Sequence, residues 1–141
     1  MIPRNQLDLR KFVAPEFVCG HGALRLAGRY ARNFGMRHVL LVTDPGVRAA
    51  GWAGAVGESL AEAGVSFTVF DSVSVNPRSR EVMAGKETYL AEECNGIVAV
   101  GGGSPMDCAK GIGIASSNMR DIRVFEGVDR VPVPAPPLIC I

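Results

Sequence analysis

One stretch limits the folds open to this chain. Gly96-Ile-Val-Ala-Val100 runs directly into Gly101-Gly102-Gly103-Ser104-Pro105. The first part is short, β-branched and apolar without alternation, the pattern of a strand covered on both faces. The residues from Ala109 to Asn118 read as a helix. Three glycines join the two, giving a turn with no side chains to hold a ligand away from the main chain. Ser104 is expected as the N-cap, Pro105 at the first helical position and Asp107 as a capping carboxylate. Free N–H groups and the positive end of a helix dipole would then meet at one place, which suits a phosphate. A tight turn that binds nothing is the alternative, but two glycines would serve for that. The spacing matches neither G-x-G-x-x-G nor G-x-x-x-x-G-K, so the residues alone indicate a dinucleotide or phosphate site in an α/β domain.

Two further strands precede this one. His38-Val-Leu-Leu-Val-Thr43 is apolar throughout, and Val65-Ser-Phe-Thr-Val-Phe70 alternates. Helical spacing is expected from Ala23 to Phe34, from Val47 to Ala63 as one helix with Trp52, Val56 and Leu60 on its core line, and from Ser79 to Cys94 with Val82, Met83, Tyr89 and Leu90 facing inward. Strands alternating with helices predict a Rossmann-like α/β fold, a mostly parallel sheet with helices on both faces. Residues 1–141 are read as one domain. Met1 to Lys11 is expected to fray, and Phe12 to Cys19 to be extended, with Pro15 favouring an edge strand or hairpin arm. Ile122 to Phe125 predicts a single helical turn, Val131 to Pro137 an extended connector, and Leu138 to Ile141 another buried strand. Gly111 and Gly113, inside a helix, suggest close approach by another backbone.

Ligands collect at the carboxyl ends of strands in such sheets. Asp44 follows the strand ending at Thr43. Its carboxylate can accept hydrogen bonds from the two ribose hydroxyls of an adenosine and would repel a 2′-phosphate, favouring NAD over NADP. It can equally be the N-cap of an Asp-Pro-Gly turn. Asn76-Pro77 stands in the same place after the next strand and could be only a turn.

The run Gly101-Gly-Gly-Ser-Pro-Met-Asp-Cys-Ala-Lys-Gly-Ile-Gly113 resembles the glycine-rich signature of the iron-containing (group III) alcohol dehydrogenases, and the likeness extends over nearly the whole chain. The resemblance implies that Asp44 contacts the adenosine ribose and that Asn76 lines the cofactor cleft. The cofactor-binding residues expected are therefore Asp44, Asn76, Gly102, Gly103, Ser104 and Asp107, with NAD as the cofactor. It also implies a divalent metal, iron or zinc, held by an aspartate and histidines of a second, all-helical domain that is absent from this chain. Only His21 and His38 are present, far apart and in no H-x-x-x-H arrangement, so no catalytic or metal-binding residue is assigned. The implied protein is an NAD- and metal-dependent dehydrogenase of small primary alcohols or aldehydes, homo-oligomeric, with this segment its nucleotide-binding half and inactive alone. A dehydroquinate-synthase-like lyase domain and a non-catalytic nucleotide-binding or assembly module are the alternatives. An aspartate and three histidines at helical spacing elsewhere in the protein would support the dehydrogenase.

Composition narrows the class further. A formal net charge of +1 with acids and bases interspersed leaves no basic stripe for nucleic acid. No apolar run approaches the roughly 20 residues that span a bilayer, and Met1 to Asp8 lacks the apolar core of a secretion signal. The four cysteines, Cys19, Cys94, Cys108 and Cys140, form no C-x-x-C pair. Buried, reduced thiols in a cytoplasmic protein are expected.

Overall fold

A computed structural model describes residues 15–141. The expected fraying of residues 1–11 and the extended stretch at 12–14 lie outside the described residues. Four strands form one parallel sheet: β1 (His38–Thr43), β2 (Ser66–Phe70), β3 (Gly96–Val100) and β4 (Leu138–Cys140). Their order across the sheet is β2-β1-β3-β4. The register is continuous, with Leu40 opposite both Thr68 and Ile97. The helices are α1 (Ala27–Asn33), α2 (Pro45–Ala49), α3 (Trp52–Glu62), α4 (Ser79–Ala91) and α5 (Gly103–Asn118). A short 3-10 turn over Ala23–Leu26 leads into α1, and another forms at Ile122–Phe125.

The pleat of β1 sorts its side chains into two cores. Val39 and Leu41 pack with Ala27 and Ala31 of α1 and with Val56 and Leu60 of α3. Leu40 and Val42 face the other way, onto Val82 and Tyr89 of α4 and Cys108 and Ile112 of α5. Helices therefore cover both faces, and all five residues of β3 are buried. The chain leaves β1 for β2 on one side, then crosses back to β3 on the other. β1 and β3 are thus neighbours whose connections depart in opposite directions, and this divergence opens a crevice at their carboxyl ends.

Several local expectations are corrected. The helix expected over 47–63 is two helices, because Gly51 takes the left-handed conformation (φ 89°) and restarts the chain. Trp52 then stands at the first position of α3, 59% exposed, and the apolar line reaches the core only from Val56 onward. Leu90 is exposed at the last turn of α4, where Tyr89 takes the inward place. Pro15 to Cys19 makes no sheet pairing. β4 pairs only with β3 and is an edge, so its residues are half-buried or exposed rather than enclosed. The approach at Gly111 and Gly113 comes from side chains and the proline connector. A β-carbon at 111 would meet Val82 Cγ1 at 3.0 Å, and one at 113 would meet Ala135 Cβ at 3.1 Å and Pro136 Cδ at 3.3 Å.

Of the cysteines, only Cys94 and Cys108 are buried; Cys19 and Cys140 are exposed. Burial pushes the Cys94 and Cys108 thiols up to about 11, which keeps both protonated at neutral pH. His38 is structural. Its Nδ1 lies 2.6 Å from Ser66 Oγ and its Nε2 3.0 Å from Thr68 Oγ1, across the β1–β2 pair.

Candidate functional site: a cleft at the carboxyl ends of the strands

The cleft grows out of the last residues of β1 and β3. Thr43 is fully buried, and its Oγ1 donates to the Val100 carbonyl at 2.9 Å. This bond ties the two strand ends together and fixes the turns that follow them. After Thr43 the backbone of Asp44 stays extended and caps α2, with the Val47 N–H donating to Asp44 Oδ1 at 2.9 Å. After Val100, Gly101 turns at φ 135°, its N–H donating to the Ile141 carbonyl at 2.9 Å. A β-carbon on Gly101 would lie 3.0 Å from Pro105 Cγ, 3.2 Å from Val47 Cγ2 and 3.4 Å from Asp44 Oδ2. The Asp44 carboxylate therefore reaches the glycine turn, with Oδ1 held by the cap and Oδ2 turned toward Gly101.

The cap of α5 differs from expectation. The helix begins at Gly103 with Gly102 at the cap position, and no side chain caps it. Ser104 lies inside the first turn. Its Oγ instead accepts from the Asn76 N–H at 3.3 Å, joining the β2–α4 loop to the head of α5. Ser104 is thus a strut between two loops, because a helix starting two residues earlier than expected leaves the cap position to Gly102. Asp107 makes no capping bond either. It is exposed and stands 4.0 Å from Lys110 Nζ, a surface pair one turn along the helix. Among the described residues, the amides of Gly102, Gly103 and Ser104 have no protein acceptor.

A cleft of about 560 Å³ lies here, lined by Asp44, Pro45 and Gly46 on one side, Ser72 to Val75 on the other, and Ser104. Of the residues expected at the site, Asp44 and Ser104 line it, and Gly102 and Gly103 immediately precede Ser104. Asn76 adjoins it through its main chain, with φ 55°. Asp107 does not line it.

The sequence profile described as iron-containing alcohol dehydrogenase matches residues 14–141. The chain belongs to the iron-containing alcohol dehydrogenase family. It is 41% identical over 125 residues to the 1,3-propanediol dehydrogenase of Citrobacter freundii, covering 86% of this chain and 32% of that protein. It is 32% identical over 130 residues to the NAD-dependent methanol dehydrogenase of Bacillus methanolicus, covering 92% of this chain and 34% of that protein. A crystal structure of 1,3-propanediol oxidoreductase superposes with a TM-score of 0.83 at 38% identity, over 86% of this chain and 32% of that one. The chain thus spans about a third of the length of the relatives it matches.

Two supports of the cleft were not among the residues expected there. Gly101, rather than its two successors, carries the unusual backbone. Its signal was present, since it is the first residue after an uninterrupted buried strand. Glu81 was also missed. Its Oε1 accepts from both the Ser74 N–H and the Ser74 Oγ at 2.7 Å each, and its Oε2 from the Arg78 N–H at 2.8 Å. Those bonds hold its carboxyl down at about 2, with the nearby Arg80 adding to the effect. A glutamate three residues after a helix start hints at the Arg78 bond, but nothing local points to Ser74. No group of three or more His, Cys, Asp or Glu that could hold a metal occurs among the described residues. None of their helices is long and apolar enough to cross a membrane.

Proposed function

We propose that this chain is the NAD-binding domain of a metal-dependent alcohol dehydrogenase acting on a small primary alcohol or aldehyde. Gly102 is the observation that carries the nucleotide reading. Its φ of −79° and ψ of −157° are open to any residue, and a β-carbon there would meet nothing within 4 Å. Gly103 is equally unobstructed, although glycine in a helix costs about 1 kcal/mol against alanine. The fold does not require glycine at either position, whereas close approach of a ligand to the main chain does. The unpaired amides beside them, at the positive end of α5, suit a pyrophosphate.

Each residue then has a distinct task. The amides of Gly102, Gly103 and Ser104 hold the anion. Asp44, fixed by the Val47 amide, offers Oδ2 to ribose hydroxyls and disfavours a 2′-phosphate. The nicotinamide, when bound, supplies the acceptor or donor of the hydride. No cluster of side chains among the described residues fits the metal in the family's name, so its ligands and the catalytic groups would belong to other parts of the protein. The NAD dependence of the methanol dehydrogenase relative supports the choice of cofactor.

Titration calorimetry with NAD and NADP tests this reading. Gly102→Val should abolish NAD binding while leaving the melting temperature within a few degrees. Asp44→Asn, which keeps an acceptor for the Val47 amide but loses the charge, should narrow the preference for NAD. Unaltered NAD binding in Gly102→Val would place the phosphates elsewhere.

A further inference from the structure

The loop from Asp71 to Arg78 forms one wall of the cleft through Ser72, Val73, Ser74 and Val75. It has little to hold it. Val73 is buried, but Val75 is 85% exposed. Among the described residues, no backbone–backbone hydrogen bond involves residues 72–77. The tethers are the Asn76 N–H to Ser104 Oγ, the Arg48–Asp71 ion pair at the loop's start, and the Glu81 carboxylate. Glu81 contributes the most. One oxygen receives two hydrogen bonds from Ser74, and the other receives the Arg78 amide at the beginning of α4. Bonds from neutral donors to an ionised acceptor are the stronger kind. A single charged group thus joins the middle of the cleft wall to a helix anchored in the core by Val82, the next residue.

We propose that Glu81 is a positioning residue for the nucleotide cleft, holding Ser74 so that the 72–75 wall and the Asn76–Ser104 contact are formed before the dinucleotide arrives. This rests on the nucleotide reading above. Glu81 touches no ligand; it acts through Ser74. A preformed wall spares the ligand the cost of ordering the loop, so loss of the clasp weakens binding although no contact residue has changed.

The test is NAD titration calorimetry on the chain, together with amide hydrogen exchange in the absence of nucleotide. Glu81→Ala should weaken NAD binding about tenfold, with Ser74→Ala alone costing about threefold. Added to Glu81→Ala, Ser74→Ala should change the affinity less than about twofold, since the two act as one unit. In Glu81→Ala the Ser74 and Asn76 amides should exchange faster, while amides of β1 and β3 do not. Val56→Ala serves as the control: it trims the core on the opposite face of the sheet, so it should lower the melting temperature and leave the NAD affinity unchanged. Should Glu81→Ala fail to fold, Ser74→Ala at its exposed position still decides the matter, and an unaltered affinity there overturns the proposal. Wild-type binding with an unaffected Glu81→Ala, or additive effects of the two substitutions, likewise overturns the proposal alone. Wild-type chain that binds no NAD overturns the nucleotide reading and the proposal with it.

Discussion

Gly101→Ala separates what the fold requires of the glycine turn from what a ligand would require. Gly101 has φ 135°, a region L side chains rarely adopt. Holding a non-glycine residue in such a region costs about 1–3 kcal/mol. The added methyl would also press on Pro105 Cγ at 3.0 Å and Val47 Cγ2 at 3.2 Å. Pro105 is a fully buried ring at the head of α5, so it cannot swing aside as a long side chain would. Opposing this, alanine restricts the unfolded chain and recovers about 0.4–1 kcal/mol. The balance is a loss of about 2–3 kcal/mol. For a chain of this length that lowers the melting temperature by about 6–10 °C. Gly102→Ala, one residue on, enters open space at an ordinary φ and should stay within about 0.5 kcal/mol of wild type. Circular dichroism melts of the two variants side by side make the comparison. If Gly101→Ala melts with the wild type, or if both variants lose stability equally, the division of labour drawn between Gly101 and Gly102 is wrong.

Gly28→Ala should be more damaging still, because its β-carbon would sit 1.9 Å from the Ser59 carbonyl oxygen where α1 crosses α3; a loss above about 3 kcal/mol in urea melts is expected. Ser116→Ala should be neutral or mildly stabilising in the same assay, since the buried Ser116 Oγ has no hydrogen-bond partner among the described residues. Glu81 should contribute an acid-sensitive part of stability: its carboxyl sits at about 2 instead of the usual 4.5, so its contribution is complete above about pH 4.5 and disappears as pH falls toward 2. Asp121, tied to Arg123 and also lowered to about 2, titrates over the same range, so the measurement is the difference between wild type and Glu81→Gln, which should shrink as the pH falls.

Sheet and helix order were legible because buried parallel strands announce themselves as unbroken apolar runs. The runs at 38–43 and 96–100 became β1 and β3 with the expected bounds. Where reading failed, the deciding contact was distant in sequence or the local rule had two outcomes. Gly51 could have been a tolerated helical glycine or a break, and only its positive φ decides. Ser104 satisfies every local rule for an N-cap, yet its hydroxyl is taken by the Asn76 amide, 28 residues away. The need for glycine at 28 depends on Ser59, whose Oγ also accepts the Gly28 N–H at 3.0 Å, 31 residues away. The Glu81–Ser74 clasp spans a loop that has no periodicity to read. At the candidate site, Asp44 and Ser104 come together in one cleft at the carboxyl ends of the strands, as their places in the sequence suggested, but the differing backbone and hydrogen bonding of Gly101, Gly102 and Ser104 needed coordinates.

The arrangement also bears on which anion the cleft would favour. Bare amides at the head of α5 attract negative charge, yet the Asp44 carboxylate stands just across Gly101, its Oδ2 3.4 Å from where a β-carbon there would be. A small free anion settling on those amides would feel that repulsion in full. A ligand that offers its anionic group to the amides and hydroxyl donors to Asp44 turns the same carboxylate into an attractive partner. Dinucleotides have this sequence of groups; inorganic phosphate does not. The juxtaposition follows from topology rather than from either loop alone: β1 and β3 are adjacent because their connections leave in opposite directions, and the Thr43–Val100 bond locks their ends together. Selectivity for a nucleotide over phosphate would then be set by strand order, with Asp44 supplying both the attraction for the right ligand and the penalty against the wrong one.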